Sequence, residues 1–556
     1  MADHTSVLMD TLRRALGNKN KGAVSAMIFS GEKVLYSMYS GWIDKEKKLR
    51  PQADSLFMIG SNTKVMTALG LFRLIEDGKL SLDDPITEYI PEFSVRSRIG
   101  EYTVTVADLL MHRAGIQCDL YPYIMGTEHT YEEVPKALND TYRTSAPGTM
   151  YAYSNLGYSM LGLIAERVAG KPYTEFMQEA LFGPLGMEVY FAREEDLPAS
   201  VSDRVARCYD RKGKRITDPL GVLTPAGAFT YTTMESLSKI GQLLMNDGRV
   251  GDVQLYRPET IQFMKTLKIN DEWDRQLAEV GYGIYHHRNV LEYETGRILG
   301  HGGATMFHHS RFDFLEKEKI GVILFTNYET AAQHASQVEL ALLNAYLKEE
   351  GFKKKEIRHV FRDFDPKQYA RRYDTQLGPI AFRESAGGLT AKIKGVDFDM
   401  KLDEEGWFEA FPKPFWAKLP PFSKQLKGLR LCQTKYLGQD VLLVEQDGIK
   451  QAVGEPYYKP ELLPAWVDAQ GTYEYPDRSF KYAIEKAVLS VEGDDLILTA
   501  VVETQKSVTS LAPVNDTEAI IKGFGRNMKE TVFLKKEGGR YELTAMGLTL
   551  VRTKSK

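Results

Sequence analysis

The 556-residue chain has no run of about 18 apolar residues, so no stretch of it reads as a membrane-spanning helix. Cysteine is scarce. Cys118, Cys208 and Cys432 lie far apart, with neither metal-ligand spacing nor the even count of a disulfide framework, which fits a reducing compartment. Charge of one sign is not in excess either. A formal net charge of −4 points to neither nucleic acid nor an anionic membrane surface as partner. The opening stretch, MADHTSVLMDTLRRALGNKNKG, reads as a short amphipathic helix and lacks the apolar centre of a signal peptide. A cytoplasmic protein is the expectation.

What is present is an ordinary globular composition, 43% apolar and 26% charged, in a chain too long for one core. AVSAMIFSGEKVLYSMYS (23–40) reads as a hairpin. Helical patterns ended by glycine, such as KVMTALGLFRLIEDG and LGYSMLGLIAERVAG, then run to about residue 250. Strand patterns return in GYGIYHH, TGRILGHGG and KIGVILFTN, before the helical QVELALLNAYLKEE. The arrangement predicts an α/β domain over 1–347: one antiparallel sheet built from the two ends of the domain and flanked by helices. The charge-dense segment 348–366 reads as the linker, its character running to about residue 368. Strand alternation with Gly and Asp turns follows to the end. A faint repeat, QYARRYDTQLGPIAF against DAQGTYEYPDRSFKYAI, predicts two small antiparallel barrels, 367–460 and 461–556. One lipocalin-like barrel over 367–556 is the alternative.

Ser-x-x-Lys occurs three times, at Ser30/Lys33, Ser61/Lys64 and Ser236/Lys239. Ser30 sits in a hairpin turn, and Ser236 suits a capping or surface role. Ser61 follows FMIG and opens a strongly apolar helix. Residues three apart share a helix face, so the Lys64 amine can reach the Ser61 hydroxyl and act as its base if burial lowers its pKa. The second element, PGTMYAYSNLGYSMLG, carries the chain's one Tyr-x-Asn, Tyr153 and Asn155, just before a helix. A tyrosine near a cation can shuttle protons, and an asparagine amide can bind a substrate amide. The third, ILGHGGATMF, leads a strand end into His301, Gly302 and Gly303. There glycines admit a close approach, and the Ala304 N–H pairs with that of Ser61 as an oxyanion hole.

These three elements, in this order, resemble the signature of the serine β-lactamase and penicillin-recognising superfamily, over about residues 10–347. LSLDDPITEYIPEF, TVADLLMHRAGI and GVILFTN agree with it. Within that superfamily the chain is similar to the class C-like, peptidase S12-like group of D-aminopeptidases, D-specific carboxypeptidases and esterases. His301 stands where most β-lactamases carry lysine. The resemblance implies a β-lactamase/transpeptidase-like α/β domain followed by all-β barrels. It also implies a serine hydrolase working through an acyl-enzyme on small peptides, amides or esters, D-stereospecific aminopeptidase activity first. Carried over, Ser61 is the nucleophile, Lys64 its base and Tyr153 the proton shuttle. Asn155, His301, Gly302 and Gly303 bind substrate, and the N–H groups of Ser61 and Ala304 hold the oxyanion. No metal or organic cofactor is implied. A carboxylesterase or weak β-lactamase is the alternative; a catalytically silent binding protein is the alternative of another class. Barrel tails also occur on relatives that form oligomers, so a homo-oligomer is a possible state.

The adjacent pairs His286/His287 and His308/His309 point to opposite faces of a strand and make poor chelates, so solvated or pocket-lining histidines are expected. The aromatics of 406–422 read as barrel core, with a ligand cup as the alternative, and KKKE (353–356) as solvated linker. A loop from 461–556 entering the active site is a further expectation.

Overall fold

Every residue of the strand Ala23–Ser30 but the last is buried, which a strand achieves only inside a sheet covered on both faces. Its side chains alternate as a pleat requires. Val24, Ala26 and Ile28 enter one apolar cluster; Ala23, Met27 and Phe29 enter another. The strand pairs with Val34–Gly41 on one side and Ile320–Thr326 on the other, so the chain's early and late segments close one antiparallel sheet, as the sequence predicts. His309–Leu315, Ile298–Ala304 and Tyr285–His287 extend it to six strands. The helices His4–Leu16 and Ala335–Glu349 cover one face. Thr63–Glu76, Asn155–Ala169 and Met234–Met245 pack in the larger cluster on the other. The computed structural model describes residues 4–17, 20–124, 129–217, 224–267, 280–287, 289–356, 360–393, 395–414, 429–436, 438–446, 448–476, 486–502 and 505–555.

Beyond the sheet domain the chain closes two eight-stranded antiparallel barrels, Arg372–Pro456 and Gly471–Ser555, each a simple meander whose last strand pairs with its first. Closure leaves no open sheet edge. The first is filled by aromatic and aliphatic side chains, among them Tyr373, Phe382, Phe398 and Phe408. Of the aromatic stretch 406–422, Phe408 joins the barrel core as expected, whereas Trp407 is buried in a separate cluster beside Tyr436, Val441 and Leu443; 415–422 lie outside the described residues. The second half of the repeat motif, from 477 on, and residues 357–359 of the expected linker lie outside them too. Lys353 and Lys354 pair with Glu294 and Glu292, so the KKKE run is docked along the sheet domain as well as solvated. The barrels are joined by a fully buried ion pair, Lys522 to Asp374 at 2.5 Å, to which Ser510 adds a hydrogen bond of 2.9 Å.

The four paired histidines are buried rather than solvated, and His308 lines a small cavity, in keeping with the pocket-lining alternative. His287 faces Asp313 at 3.3 Å, and His308 packs edge-on to Phe57 and Tyr231. Cys118, Cys208 and Cys432 are unpaired. Among the described residues no helix is long and apolar enough to cross a membrane.

Candidate active site

Of the three Ser-x-x-Lys pairs among the described residues, Ser61/Lys64 is the one whose amine reaches its serine hydroxyl, at 3.4 Å. Ser30 Oγ accepts from the Glu32 and Lys33 backbone, an ordinary turn. Ser236 is buried and accepts from Glu188 N, the cap of its helix being Thr233. Ser61 lies in the single turn Gly60–Asn62 that leads into the helix Thr63–Glu76, and no side chain caps that helix. Ser61 is therefore not there as a cap.

Two glycines set this turn against the sheet. Gly60 has φ +53°, a conformation that favours glycine, and a Cβ on it would stand 2.7 Å from Ala304 N. A Cβ on Gly303 would stand 1.9 Å from the Ile59 carbonyl oxygen. The end of the strand Ile298–Ala304 thus lies directly against the Ser61 turn.

Lys64 is fully buried beneath this junction. Burial holds its amine well below the ordinary lysine value; the nearby Arg526 pushes the same way, against Asp119. Its Nζ lies 2.8 Å from Asn155 Oδ1, 2.7 Å from the Gly227 carbonyl and 3.4 Å from Ser61 Oγ. A neutral amine has two N–H bonds and one lone pair. In its neutral form the amine can spend its two N–H bonds on the carbonyl oxygens and turn its lone pair to the Ser61 hydroxyl.

Tyr153 hydrogen-bonds Ser61 from the other side. Burial raises its phenol above the ordinary value, opposed by that bond and by the Arg526 charge, so the group is a neutral proton donor. Its ring packs on His112, 4.5 Å between centroids, and His112 Nδ1 accepts from Ser154 N at 3.0 Å. His112 also stacks on Tyr158, which fixes the turn that presents Tyr153. Ser154 caps the helix Asn155–Ala169 by accepting from Gly157 N.

Asn155 opens that helix with both ends of its amide engaged: Oδ1 by Lys64, Nδ2 by Asp119 at 2.8 Å. It orients the amine where the sequence suggested contact with substrate. His301 is buried, its Nδ1 2.6 Å from the Gly302 carbonyl and its pKa held down to about 3 by burial and by Lys64. It is neutral, with Nε2 left as an acceptor.

Sequence reasoning missed Asp119 and Arg526. Arg526 comes from the second barrel, on the loop between strands Glu518–Ile521 and Thr531–Glu537. Its Nε donates to Asp119 Oδ2 at 2.6 Å, and its guanidinium lies 5.4 Å from the Tyr153 ring centroid. A loop of 461–556 does enter the site, as the tail was expected to. The same loop is anchored by Glu530, which accepts from Cys118 N and Gln117 Nε2 at 2.9 and 3.1 Å. On the other side Gly523 N and Lys529 bond Glu455 of the first barrel.

Comparison with known proteins gives the family and the fold. The chain is 27% identical over 284 residues to Protein Rv1367c of Mycobacterium tuberculosis, covering 46% of this chain and 69% of that protein. The octameric penicillin-binding protein homologue from Pyrococcus abyssi has the same fold over 98% of this chain and 99% of its own, at a TM-score of 0.52 and 20% identity. SurE, solved with D-Leu, matches over 81% of this chain and 99% of its own, at 0.57 and 18%. The Beta-lactamase family model matches residues 9–346, more than half of the sequence, so the chain belongs to the beta-lactamase family and is an enzyme of its serine-hydrolase class.

Proposed function

We propose that the protein hydrolyses small amides or esters through an acyl-enzyme on Ser61. The observation that carries this reading is the buried Lys64 amine, held by Asn155 and Gly227 at 2.8 and 2.7 Å and 3.4 Å from the Ser61 hydroxyl, with its pKa lowered by burial. Ser61 Oγ attacks the carbonyl carbon as its proton passes to Lys64 Nζ. The oxyanion forms against the N–H groups of Ser61 and Ala304. Tyr153 gives its phenol proton to the leaving group and is restored from the Lys64 ammonium; water then releases the acyl group by the reverse path. His301, with Gly302 and Gly303 at the strand edge, offers a neutral acceptor to the substrate, and Asn155 keeps the amine in place.

Arg526 bears on substrate choice. Its guanidinium lies over the Tyr153 ring and holds Asp119 at 2.6 Å, so that carboxylate is not free to pair with a terminal ammonium and the site suits neutral acyl groups. Esters and acyl amides therefore fit this pocket better than the amino-terminal D-peptides the family resemblance put first. A D-residue remains the second reading, favoured by the likeness of fold to SurE, which was solved with D-Leu. A division at 347, 366 and 460, a cytoplasmic location suited to three unpaired cysteines, and an oligomer like that of the Pyrococcus homologue complete the proposal.

The test is a fluorophosphonate probe with intact-mass detection and peptide mapping. A single adduct on Ser61, lost in Ser61→Ala, is expected; a protein that takes no adduct is a binding protein. Rates on p-nitrophenyl esters, D-alanyl anilides and a chromogenic cephalosporin then order the substrates.

A further inference from the structure

The two barrels have the same strand count and order, but different interiors. In the second, the inward side chains shrink from one end to the other. Leu496 pairs with Leu511 near the closed end, which is plugged by the fully buried Trp466, its indole donating to the Asn515 carbonyl. The next layer is Leu489, Leu498 and Thr509, and the last is Ala487, Ala500 and Ser507. Ala545 keeps the same end open from the opposite wall.

The taper leaves a cavity of about 390 Å³, lined by Ala487, Leu498, Ala500, Thr509, Leu543 and Ala545. That is the size and apolar character of a small-ligand pocket, and eight-stranded barrels hold one small ligand. Its rim is shared by all three parts of the molecule: Tyr121 of the sheet domain, Gln376 of the first barrel and Arg526 of the second. Arg526 is also the residue that touches Asp119 and lies over Tyr153, and 42% of its side chain is exposed. One side chain, Arg526, therefore both lines the cavity and lies over Tyr153, the hydrogen-bond partner of Ser61.

We propose that the lumen of the second barrel is a substrate subsite that takes the apolar chain of an acyl ester or acyl amide, whose carbonyl end passes Arg526 to reach Ser61. The proposal rests on the hydrolase reading above and narrows its substrates to acyl groups longer than acetyl. Among the described residues that line it Arg526 is the one charged side chain, and it sits where the chain would end and the polar carbonyl begin.

Two experiments on the full chain decide it. In a p-nitrophenyl ester series from acetate to decanoate, kcat/KM should climb with chain length, by about tenfold for every two methylenes buried, chiefly through KM. Filling the lumen with Ala500→Trp or Ala545→Leu should collapse the decanoate-to-acetate ratio. A flat series in the parent, or an undiminished ratio in folded lumen variants, overturns the proposal. The second experiment needs neither turnover nor those variants: a diazirine-bearing decanoate is photocrosslinked to Ser61→Ala and its site mapped. Labels on strands within 487–500 and 543–550 support the lumen; labels confined elsewhere overturn it. Failure of every ester, with no phosphonate adduct, sinks the hydrolase reading alone and leaves the crosslink to judge the cavity.

Discussion

Lys64 and Arg526 are two cationic side chains placed where each makes the other's charge costly. Lys64 yields because it is buried without a carboxylate at its Nζ, whereas Arg526 keeps its proton and has Asp119. Lys64→Met should lower kcat/KM by about 10²–10⁴-fold, the range for loss of a general base, while leaving the fold intact by circular dichroism. Arg526→Gln tests the electrostatics. The active form of Lys64 is the neutral amine, and Arg526 disfavours the protonated one. Removing the guanidinium, and freeing Asp119, must raise the Lys64 pKa, so the acid limb of the kcat/KM profile should move to higher pH. A limb that stays put would mean that another group governs it.

At the scale of elements, the site depends on a helix turn and a strand end lying closer than side chains allow. Gly303→Ala would place a methyl 1.9 Å from the Ile59 carbonyl, so the turn and the strand must part. A displacement near 1 Å costs about 10²-fold in rate, and the loss should appear in single-turnover acylation together with a lowered Tm, since overpacking costs about 1–3 kcal/mol. This scale also shows what the sequence made legible. Ser61 and Lys64 were readable together because they share one helix face. The sheet and the barrels were readable because alternation is a local pattern. The number of barrels hung on a faint repeat, since closure depends on strand register over many residues. Asp119 and Arg526 carry no local pattern at all and meet across 407 positions. The histidine pairs read as solvated or pocket-lining because their aromatic and acidic neighbours are distant in sequence.

For the whole molecule, the loop 522–530 ties three bodies together, and its anchors set how stability responds to pH. Burial pushes the Glu530 carboxyl up to about 8, from 4.5. The folded chain then keeps a proton that the unfolded chain releases, so this term weakens the fold as pH rises from about 4.5 to 8. Glu530→Gln should flatten that slope in Tm against pH. Buried histidines act the other way on the acid side. His301 and His308 are held to about 3, His286 and His309 to about 4, against 6.5 in the open chain, so stability should fall as pH drops below 6.5. His308→Phe should lessen that fall, measured as Tm at pH 5 and 7. Asp374→Ala leaves Lys522 buried without its partner and should cost about 3–5 kcal/mol by denaturant titration.

The arrival of Arg526 from so late in the polypeptide has a consequence for biosynthesis. A nascent chain that has emerged only through its first barrel already owns a serine and a lysine on a folded helix, but not the guanidinium that helps keep that lysine deprotonated. A chain cut after its first barrel should therefore show the acid limb of its kcat/KM profile at higher pH than the full chain does.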